Sequence, residues 1–490
     1  VTFTPTAEQQ AALDAYRTGG NLVIEAGAGT GKTSTLQLIA RDNPRRRGLY
    51  VAFNKAIATE AQRKFAGTGI TAKTVHSLAF NAVGRPFGPR LGAKYMFWHD
   101  KAKVLGVRER FDLGPSASQR FLAPKTLVRL TTETVDAFAR SAADELTEDM
   151  MVLPENLTLA DDAETHLRKY VTRLARAYWQ NVTFVDGTLP FKHDYYLKLW
   201  QLSRPSIDAD LIMFDEAQDA DPIMTAVISA QQNTQLAVVG DPNQAIYSWR
   251  GAIDAMNAFG GIRTQLTQSF RFGQAIADEA NFWLELLDSD LRLSGMPGAA
   301  SSVWKSGRQP EAILTRSNVG AIREVLESQR RGTRVGIAGA NKAREMHALA
   351  KAALDLQQRG STSHPDLDIF NSWDDVVTFS QMDDGTEIAA LVNVVEEYTA
   401  ERVIDAIDAC VPTEQAEQTI STAHVAKGLE WFHVRIANDF REPGKDEDGN
   451  QKPIIREEAR LSYVAVTRAQ RHLDASGLDW AKQFTAGVAA

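Results

Sequence analysis

One cysteine, Cys410, stands in 490 residues, so no disulfide can close within the chain, and a reducing compartment fits. Long apolar runs are missing too. No stretch approaches the roughly 20 residues that a membrane-spanning helix needs, so no membrane partner is expected. Val1-Thr2-Phe3-Thr4 opens without a charged-then-apolar leader, and the expected location is cytoplasmic. An excess of basic charge is also absent: 54 Lys and Arg stand against 62 Asp and Glu, a net charge of −8. This excludes a surface coated in positive charge. It leaves open a nucleic-acid partner, because a local basic groove is enough to hold a phosphate chain. No internal repeat is visible. The remaining composition, 44% hydrophobic and 24% charged, is ordinary for a globular protein. The length excludes a single core and predicts about three or four units.

What the chain does have is Asn21-Leu22-Val23-Ile24-Glu25-Ala26-Gly27-Ala28-Gly29-Thr30-Gly31-Lys32-Thr33. A short apolar run empties into a glycine-rich turn, and a helical pattern follows through Leu36, Ile39 and Ala40. That order is strand, phosphate loop, helix. Glycines let successive backbone N–H groups converge on phosphate oxygens, and the new helix turns its positive end to the same anion. Lys32 is then placed for the β- and γ-phosphates and Thr33 for Mg²⁺. The strict pattern asks for glycine at position 26, where this chain has Ala26. Upstream, Thr6 caps a predicted helix carrying Gln9, Gln10, Leu13 and Tyr16. Gln9 reads either as an amide facing an adenine edge or as a solvated helix residue.

Gly48 to Phe53 is a predicted buried strand ending in Phe53-Asn54-Lys55, and the carboxyl ends of such strands are where open α/β sheets bind ligands. Thr74 and His76, after the next strand, could donate to a nucleic-acid backbone. From about Gly84 to Arg204 the pattern turns helical, with apolar faces at Leu122, Val128 and Leu130 and at Leu167, Val171, Leu174 and Tyr178. Near its end, Phe191-Lys192-His193-Asp194-Tyr195-Tyr196-Leu197-Lys198 mixes aromatics with basic groups. It reads equally as a strand-binding groove or as a helix burying its rings.

Sheet pattern returns at Ala209 to Phe214, followed at once by Asp215-Glu216-Ala217-Gln218-Asp219. An acidic pair closing a buried strand is costly unless it faces a cation or water. Beside a phosphate loop, Asp215 is the natural Mg²⁺ carboxylate and Glu216 the base that orients the attacking water. The strand Leu236 to Gly240 leads into Asp241-Pro242-Asn243-Gln244, with Gln244 placed for a terminal phosphate. Tyr247, Trp249 and Arg250 follow as a base-stacking platform, with core aromatics as the alternative. A second α/β unit is expected from near Ile262. Its first strand ends in Phe270-Arg271, further strands lie at Ala312 to Thr315 and Val335 to Ala338, and an insertion runs from Asn341 to Gln418. Strands resume at Thr419 to His424, Val434 to Ile436 and His472 to Asp474, with a helix from Glu457 carrying Tyr463 and Arg468.

Taken together, these segments resemble the UvrD/Rep type of superfamily 1 DNA helicases from end to end. Gln9 is similar to the family's Q motif, Ala26 to Thr33 to motif I, and Phe53-Asn54-Lys55-Ala56 to motif Ia. Thr74-Val75-His76 resembles the DNA-contacting motif that follows. Asp215 to Asp219 resembles motif II and Gly240 to Ala252 motif III. Phe270-Arg271, Ala423 to Glu430 and Tyr463 to Ala469 are similar to motifs IV, V and VI.

The resemblance implies an α/β fold with two RecA-like P-loop NTPase domains of parallel sheets, each with an inserted, mainly helical subdomain. Residues 1–84 and 206–262 would form the first domain around insertion 85–205. Residues 263–340 and 419–490 would form the second around a reduced insertion, 341–418. ATP with Mg²⁺ would sit in the cleft between the domains, held by Gln9, Ala26, Gly27, Ala28, Gly29, Thr30, Gly31, Lys32, Thr33, Ser34, Phe270, Gly428 and Glu430. Lys32, Asp215, Glu216, Gln244, Arg271 and Arg468 would be catalytic, with Arg468 as arginine finger, Glu430 accepting from the ribose, and Thr33 and Asp215 on the metal. Phe53, Asn54, Thr74, His76, His193, Tyr247, Trp249, Arg250 and His424 would line single-stranded DNA.

The implied activity is a DNA-dependent ATPase moving 3′ to 5′ on single strands and parting duplexes at single-strand/double-strand junctions, as a monomer on DNA. The alternative is a translocase whose main task is stripping recombinase or replication proteins from DNA. Ser34 stands where many relatives have an arginine that packs on adenine, which leaves base selectivity to Gln9 and Phe270. The segment Phe191 to Trp200 and the short second insertion look more like the F-box DNA helicase subgroup, with no F-box expected within these 490 residues.

Overall fold

The computed structural model describes residues 4–52, 55–92, 96–114, 120–153, 157, 159–246, 255–305, 307–339, 341–364, 367, 370, 372–381, 386–446 and 449–483. The chain divides into two compact units. Val1–Glu25 with Lys32–Gln265 form one, and Ala26–Gly31 with Leu266–Ala490 the other.

In the first unit the helix Ala7–Arg17 opens with a capping box. The Thr6 side chain accepts from the Gln9 N–H, and the Gln9 side chain accepts from the Thr6 N–H. The strands are β1 (Leu22–Ala26), β2 (Gly48–Ala52), β3 (Ile70–Thr74), β6 (Leu211–Phe214), β7 (Gln235–Gly240) and β8 (Ile262–Leu266), with a small hairpin of β4 (Phe111–Asp112) and β5 (Phe121–Leu122). The sheet runs β3-β2-β6-β7-β1-β8. β1 pairs in parallel with β7, β7 with β6, β6 with β2 and β2 with β3. Every residue of β2, β6 and β7 is buried, as the unbroken runs in parallel strands covered on both faces require. Ile262–Leu266, expected to open the second α/β unit, instead edges the first sheet. The Ile262 N–H donates to the Asn21 carbonyl at the foot of β1.

The first insertion is helical as expected, with helices Trp98–Leu105, Pro124–Arg140, Asp161–Thr183 and His193–Leu202. Leu127, Val128, Leu130, Leu167, Val171 and Leu174 share one buried cluster. Phe138, Tyr178, Tyr195 and Trp200 join another, with Val51, Ile212 and Phe214 of the sheet. A helical layer that shares a core with the sheet is not a separate unit. That is why the chain resolves into two bodies rather than the three or four expected from length.

The second unit holds β9 (Ser302–Val303), β10 (Ala312–Thr315), β11 (Val335–Ile337), β12 (Gln418–Thr422), β13 (Trp431–Ile436) and β14 (Ala469–Asp474). They are ordered β11-β12-β10-β13-β14-β9, with every neighbouring pair parallel. The second insertion follows the same rule as the first. Ala353, Leu356, Trp373, Val376 and Leu391 cluster among its own helices. Val394 and Val403 pack with Ile313, Val325 and Ile420 of the sheet side.

Candidate nucleotide site and nucleic-acid surface

β1, β7 and β6 are consecutive in the first sheet and parallel, so their carboxyl ends lie together. From β1 comes the phosphate loop, from β6 the acidic pair, and from β7 the segment holding Gln244. In the loop, Gly29 and Gly31 have φ of +73° and +81°, a conformation that favours glycine. Ala26, Ala28 and Thr30 are buried, and the Thr30 hydroxyl closes the turn by donating to the Gly27 carbonyl at 2.9 Å. Ala26–Gly31 groups with the second unit, where the Ala28 N–H donates to the Tyr463 hydroxyl at 3.2 Å. Lys32 and Thr33 begin the helix Lys32–Asp42, with Ser34 half-buried behind them.

The Thr33 hydroxyl lies 3.3 Å from Asp215 Oδ2, and Lys32 Nζ is 3.4 Å from Glu216 Oε2. Asp215 is buried. Desolvation, reinforced by the neighbouring Glu216 charge, pushes its carboxyl above the ordinary range. Tyr50 on β2 donates to the same Oδ2 at 2.6 Å, and burial and Asp215 raise its phenol so that it stays protonated. Glu216 has φ of 52°, an uncommon left-handed backbone for a residue with a Cβ. Its side chain is held by Gln218, whose amide donates to Glu216 Oε2 at 2.7 Å.

Gln218 Oε1 in turn accepts the Asp241 N–H at 2.9 Å, and Gln244 Nε2 donates to Asp241 Oδ2 at 2.7 Å. A hydrogen-bonded chain thus joins the candidate base Glu216 to the candidate phosphate-sensing amide Gln244. Sequence reasoning assigned no role to Tyr50, Gln218 or Asp241. The signal for Tyr50 was a phenol inside a buried strand, which needs a polar partner. Gln218 stood in a quoted motif with no chemistry attached.

Gln9 is 1% exposed, so the solvated reading falls. Its Oε1 serves the capping box. Its Nε2 is buried without a hydrogen-bond partner among the described residues, which suits a donor to a purine edge. The oxygen donors of Thr33 and Asp215 likewise suit a hard cation such as Mg²⁺.

In the second unit, Arg271 Nε donates to Glu430 Oε2 at 2.6 Å and its Nη1 to the Thr467 carbonyl at 3.0 Å. Glu430, expected on the ribose, also accepts from Gln470 at 2.7 Å. Gly428 has φ of +88°, and Phe270 is exposed. Arg468 follows the C-cap Thr467 of the helix Arg456–Val466 and is buried, donating to the Val464 carbonyl at 2.8 Å and the Thr467 hydroxyl at 2.9 Å.

Two DNA candidates from distant segments meet. His76 Nδ1 and His193 Nδ1 lie 3.3 Å and 3.1 Å from the same Tyr196 hydroxyl. Burial lowers the His76 pKa. Thr74 is engaged as the cap of Val75–Ala79, accepting from the Ser77 N–H. Of the cluster from Phe191 onward, Phe191, Tyr195, Tyr196 and Trp200 are buried, so that segment is a helix burying its rings and leaves His193 exposed. The rings are taken up by the core that the insertion shares with the sheet. In the second unit His424 is half-buried on Ala423–Ala426. Burial and the Arg316 charge push its pKa down to about 4, so it is neutral at pH 7. Phe53, Asn54, Tyr247, Trp249 and Arg250 lie outside the described residues. Among the described residues no helix is long and apolar enough to cross a membrane.

Comparison with known proteins adds the following. Residues 5–259 match the model of the UvrD/REP helicase N-terminal domain and residues 210–477 that of the UvrD-like helicase C-terminal domain. F-box DNA helicase protein 1 of Schizosaccharomyces pombe is 28% identical over 96% of this chain and 57% of its own length. F-box DNA helicase 1 of Gallus gallus is 30% identical over 96% of this chain and 48% of its own length. The chain therefore spans about half the length of these relatives. ATP-dependent DNA helicase PcrA of Leuconostoc citreum is 25% identical over 57% of this chain and 39% of its own length.

Proposed function

This chain belongs to the UvrD/REP helicase family, and on that premise we propose that it is an ATP-driven DNA helicase that moves 3′ to 5′ along single-stranded DNA. The observation that carries the reading is the meeting of Lys32 with Glu216 and Thr33 with Asp215 at the carboxyl ends of β1 and β6, parallel strands on either side of β7.

The phosphate-loop amides and Lys32 bind and orient the β- and γ-phosphates. Thr33 and Asp215 would hold Mg²⁺, which when bound neutralises charge on those phosphates. Tyr50 fixes the carboxylate of Asp215 by its donated hydrogen bond. Glu216 accepts the proton of the attacking water, with Gln218 setting its orientation. Gln244, joined through Asp241 and Gln218 to Glu216, reports phosphate loss to the segment that follows it in the chain. Arg271 and Arg468 supply positive charge to the transferring phosphoryl group. Gln9 and Phe270 select the base, and Thr74, His76, His193 and His424, with Phe53, Asn54, Tyr247, Trp249 and Arg250, carry the strand. The protein works inside the cell, as a monomer on DNA.

Strand displacement on duplexes with a 3′ or a 5′ single-stranded tail tests this reading. ATP-dependent opening of the 3′-tailed substrate alone is expected, and opening of the 5′-tailed substrate alone contradicts the polarity. ATP-dependent removal of a recombinase from the strand with no duplex opening would favour the protein-stripping role.

A further inference from the structure

The outer edge of the second sheet carries a cavity of about 420 Å³. Ser302, Trp304, Arg308, His433, Arg471 and His472 line it. β9 is the edge strand, and the Trp304 N–H extends its ladder by donating to the Leu473 carbonyl at 3.1 Å. The backbone is thereby fixed while the side chain is left 59% exposed. An indole so placed is not core. Its ring lies 4.9 Å, centroid to centroid, from that of His472. His472 is oriented by a 3.0 Å contact between Nδ1 and the Ser302 hydroxyl. His472 Nε2 has no hydrogen-bond partner among the described residues. Beside it the Arg471 guanidinium stands 4.7 Å from the centre of the exposed Phe432 ring. Two carboxylates are close: Glu311 accepts the Phe432 N–H at 2.9 Å and lies 3.9 Å from His433 Nδ1, and the Asp474 charge acts on His472.

An exposed indole, two guanidinium groups and a cavity of ligand size are what a base joined to a phosphate requires. We propose that this cavity holds one nucleotide unit of a DNA strand, its base against Trp304 and its phosphate near Arg308 and Arg471. The site rests on the DNA-helicase reading. It would give the second unit a grip on the strand beyond the one expected of His424. A free mononucleotide shares the chemistry, but a strand offers the same base and phosphate with neighbouring nucleotides already held, so its local concentration favours it.

The test is anisotropy of a labelled single-stranded oligonucleotide with wild type, Trp304→Ala, Trp304→Phe and Arg308→Gln, with dTMP as competitor. DNA-free ATP turnover and melting temperature are read on the same preparations. Trp304→Ala is expected to weaken DNA binding roughly tenfold, within the range for loss of one stacked base, while Trp304→Phe keeps most of it. Arg308→Gln should flatten the slope of log affinity against log salt by about 0.7. Turnover without DNA and melting temperature should hold, and millimolar dTMP should not displace the strand. Wild type that binds while Trp304→Ala and Arg308→Gln bind equally well sinks this site alone. Trp304-dependent binding of dTMP that leaves the oligonucleotide's affinity unchanged makes it a free-nucleotide pocket and overturns the strand. Wild type that binds no oligonucleotide sinks the helicase reading and the site with it.

Discussion

Lys32 and Glu216 face each other 3.4 Å apart, yet their removal should have different consequences. Lys32→Ala takes away the one point charge aimed at the β- and γ-phosphates, so a folded protein is expected with ATP turnover lowered about a hundredfold or more. DNA-stimulated turnover persisting in that variant would remove Lys32 from its role. Glu216→Gln keeps a polar partner for Gln218 and leaves Thr33 and Asp215 in place. Nucleotide affinity should therefore stay within a few-fold while turnover falls by about 10²–10⁴. Equilibrium ATP binding beside single-turnover hydrolysis separates the two effects. A collapse of affinity in Glu216→Gln would mean that the division of labour between the acids is wrong. The acids, lysine and amide were legible because their types and order carry chemistry. Tyr50, Gln218 and Asp241 were not. Their work is to hold other side chains, and the pairing that shows it crosses between strands far apart in sequence.

At the scale of elements, Arg468 lies buried just past the helix Arg456–Val466, with its guanidinium on that helix's own backbone. As an arginine finger it should be worth about 10³–10⁵ in rate. Arg468→Lys cannot present the planar fork, so it is expected to bind ATP nearly normally and hydrolyse it far more slowly. A drop in melting temperature with unchanged turnover per folded molecule would instead make Arg468 structural.

The helix His193–Leu202 gives a test that does not depend on activity. Lys198 is fully buried and donates to the carbonyls of Ser141, at 3.0 Å, and Ala143, and burial pushes its pKa down to about 8, against a smaller opposing effect of Asp144. A folded pKa below the unfolded value means that the unfolded chain binds the extra proton between about pH 8 and pH 10.5. Stability from this group therefore rises with pH across that window, by on the order of 2 kcal/mol. Urea unfolding of wild type and Lys198→Met at pH 7.5 and pH 10 should show wild type gaining on the variant as pH rises. A constant difference would contradict a depressed Lys198. That helix also shows where pattern reading stops. Its alternating rings and cations fitted a groove and a core equally well, and only the packing of Phe191, Tyr195, Tyr196 and Trp200 into the sheet's core decided between them.

For the whole molecule, the parallel sheets and the site at the carboxyl ends of β1, β6 and β7 could be read from apolar runs that stop at glycine, Asp-Glu and Asp-Pro. The partition could not. The insertions bury part of their apolar faces against the sheets, and a shared core leaves no mark in composition. Ile262–Leu266 misled for a related reason. Its membership of the first sheet is set by a backbone bond to Asn21, which a sequence pattern does not display.

With a net charge of −8, the protein has no general affinity for a polyanion, so any response to DNA must come through specific surfaces coupled to the nucleotide site. Steady-state ATP hydrolysis by the wild-type chain, with and without single-stranded DNA, measures that coupling directly. Slow turnover alone, rising severalfold or more as the oligonucleotide saturates, is the predicted result. Turnover that is the same with and without DNA, in a preparation shown to bind both ATP and the oligonucleotide, would contradict a DNA-driven motor.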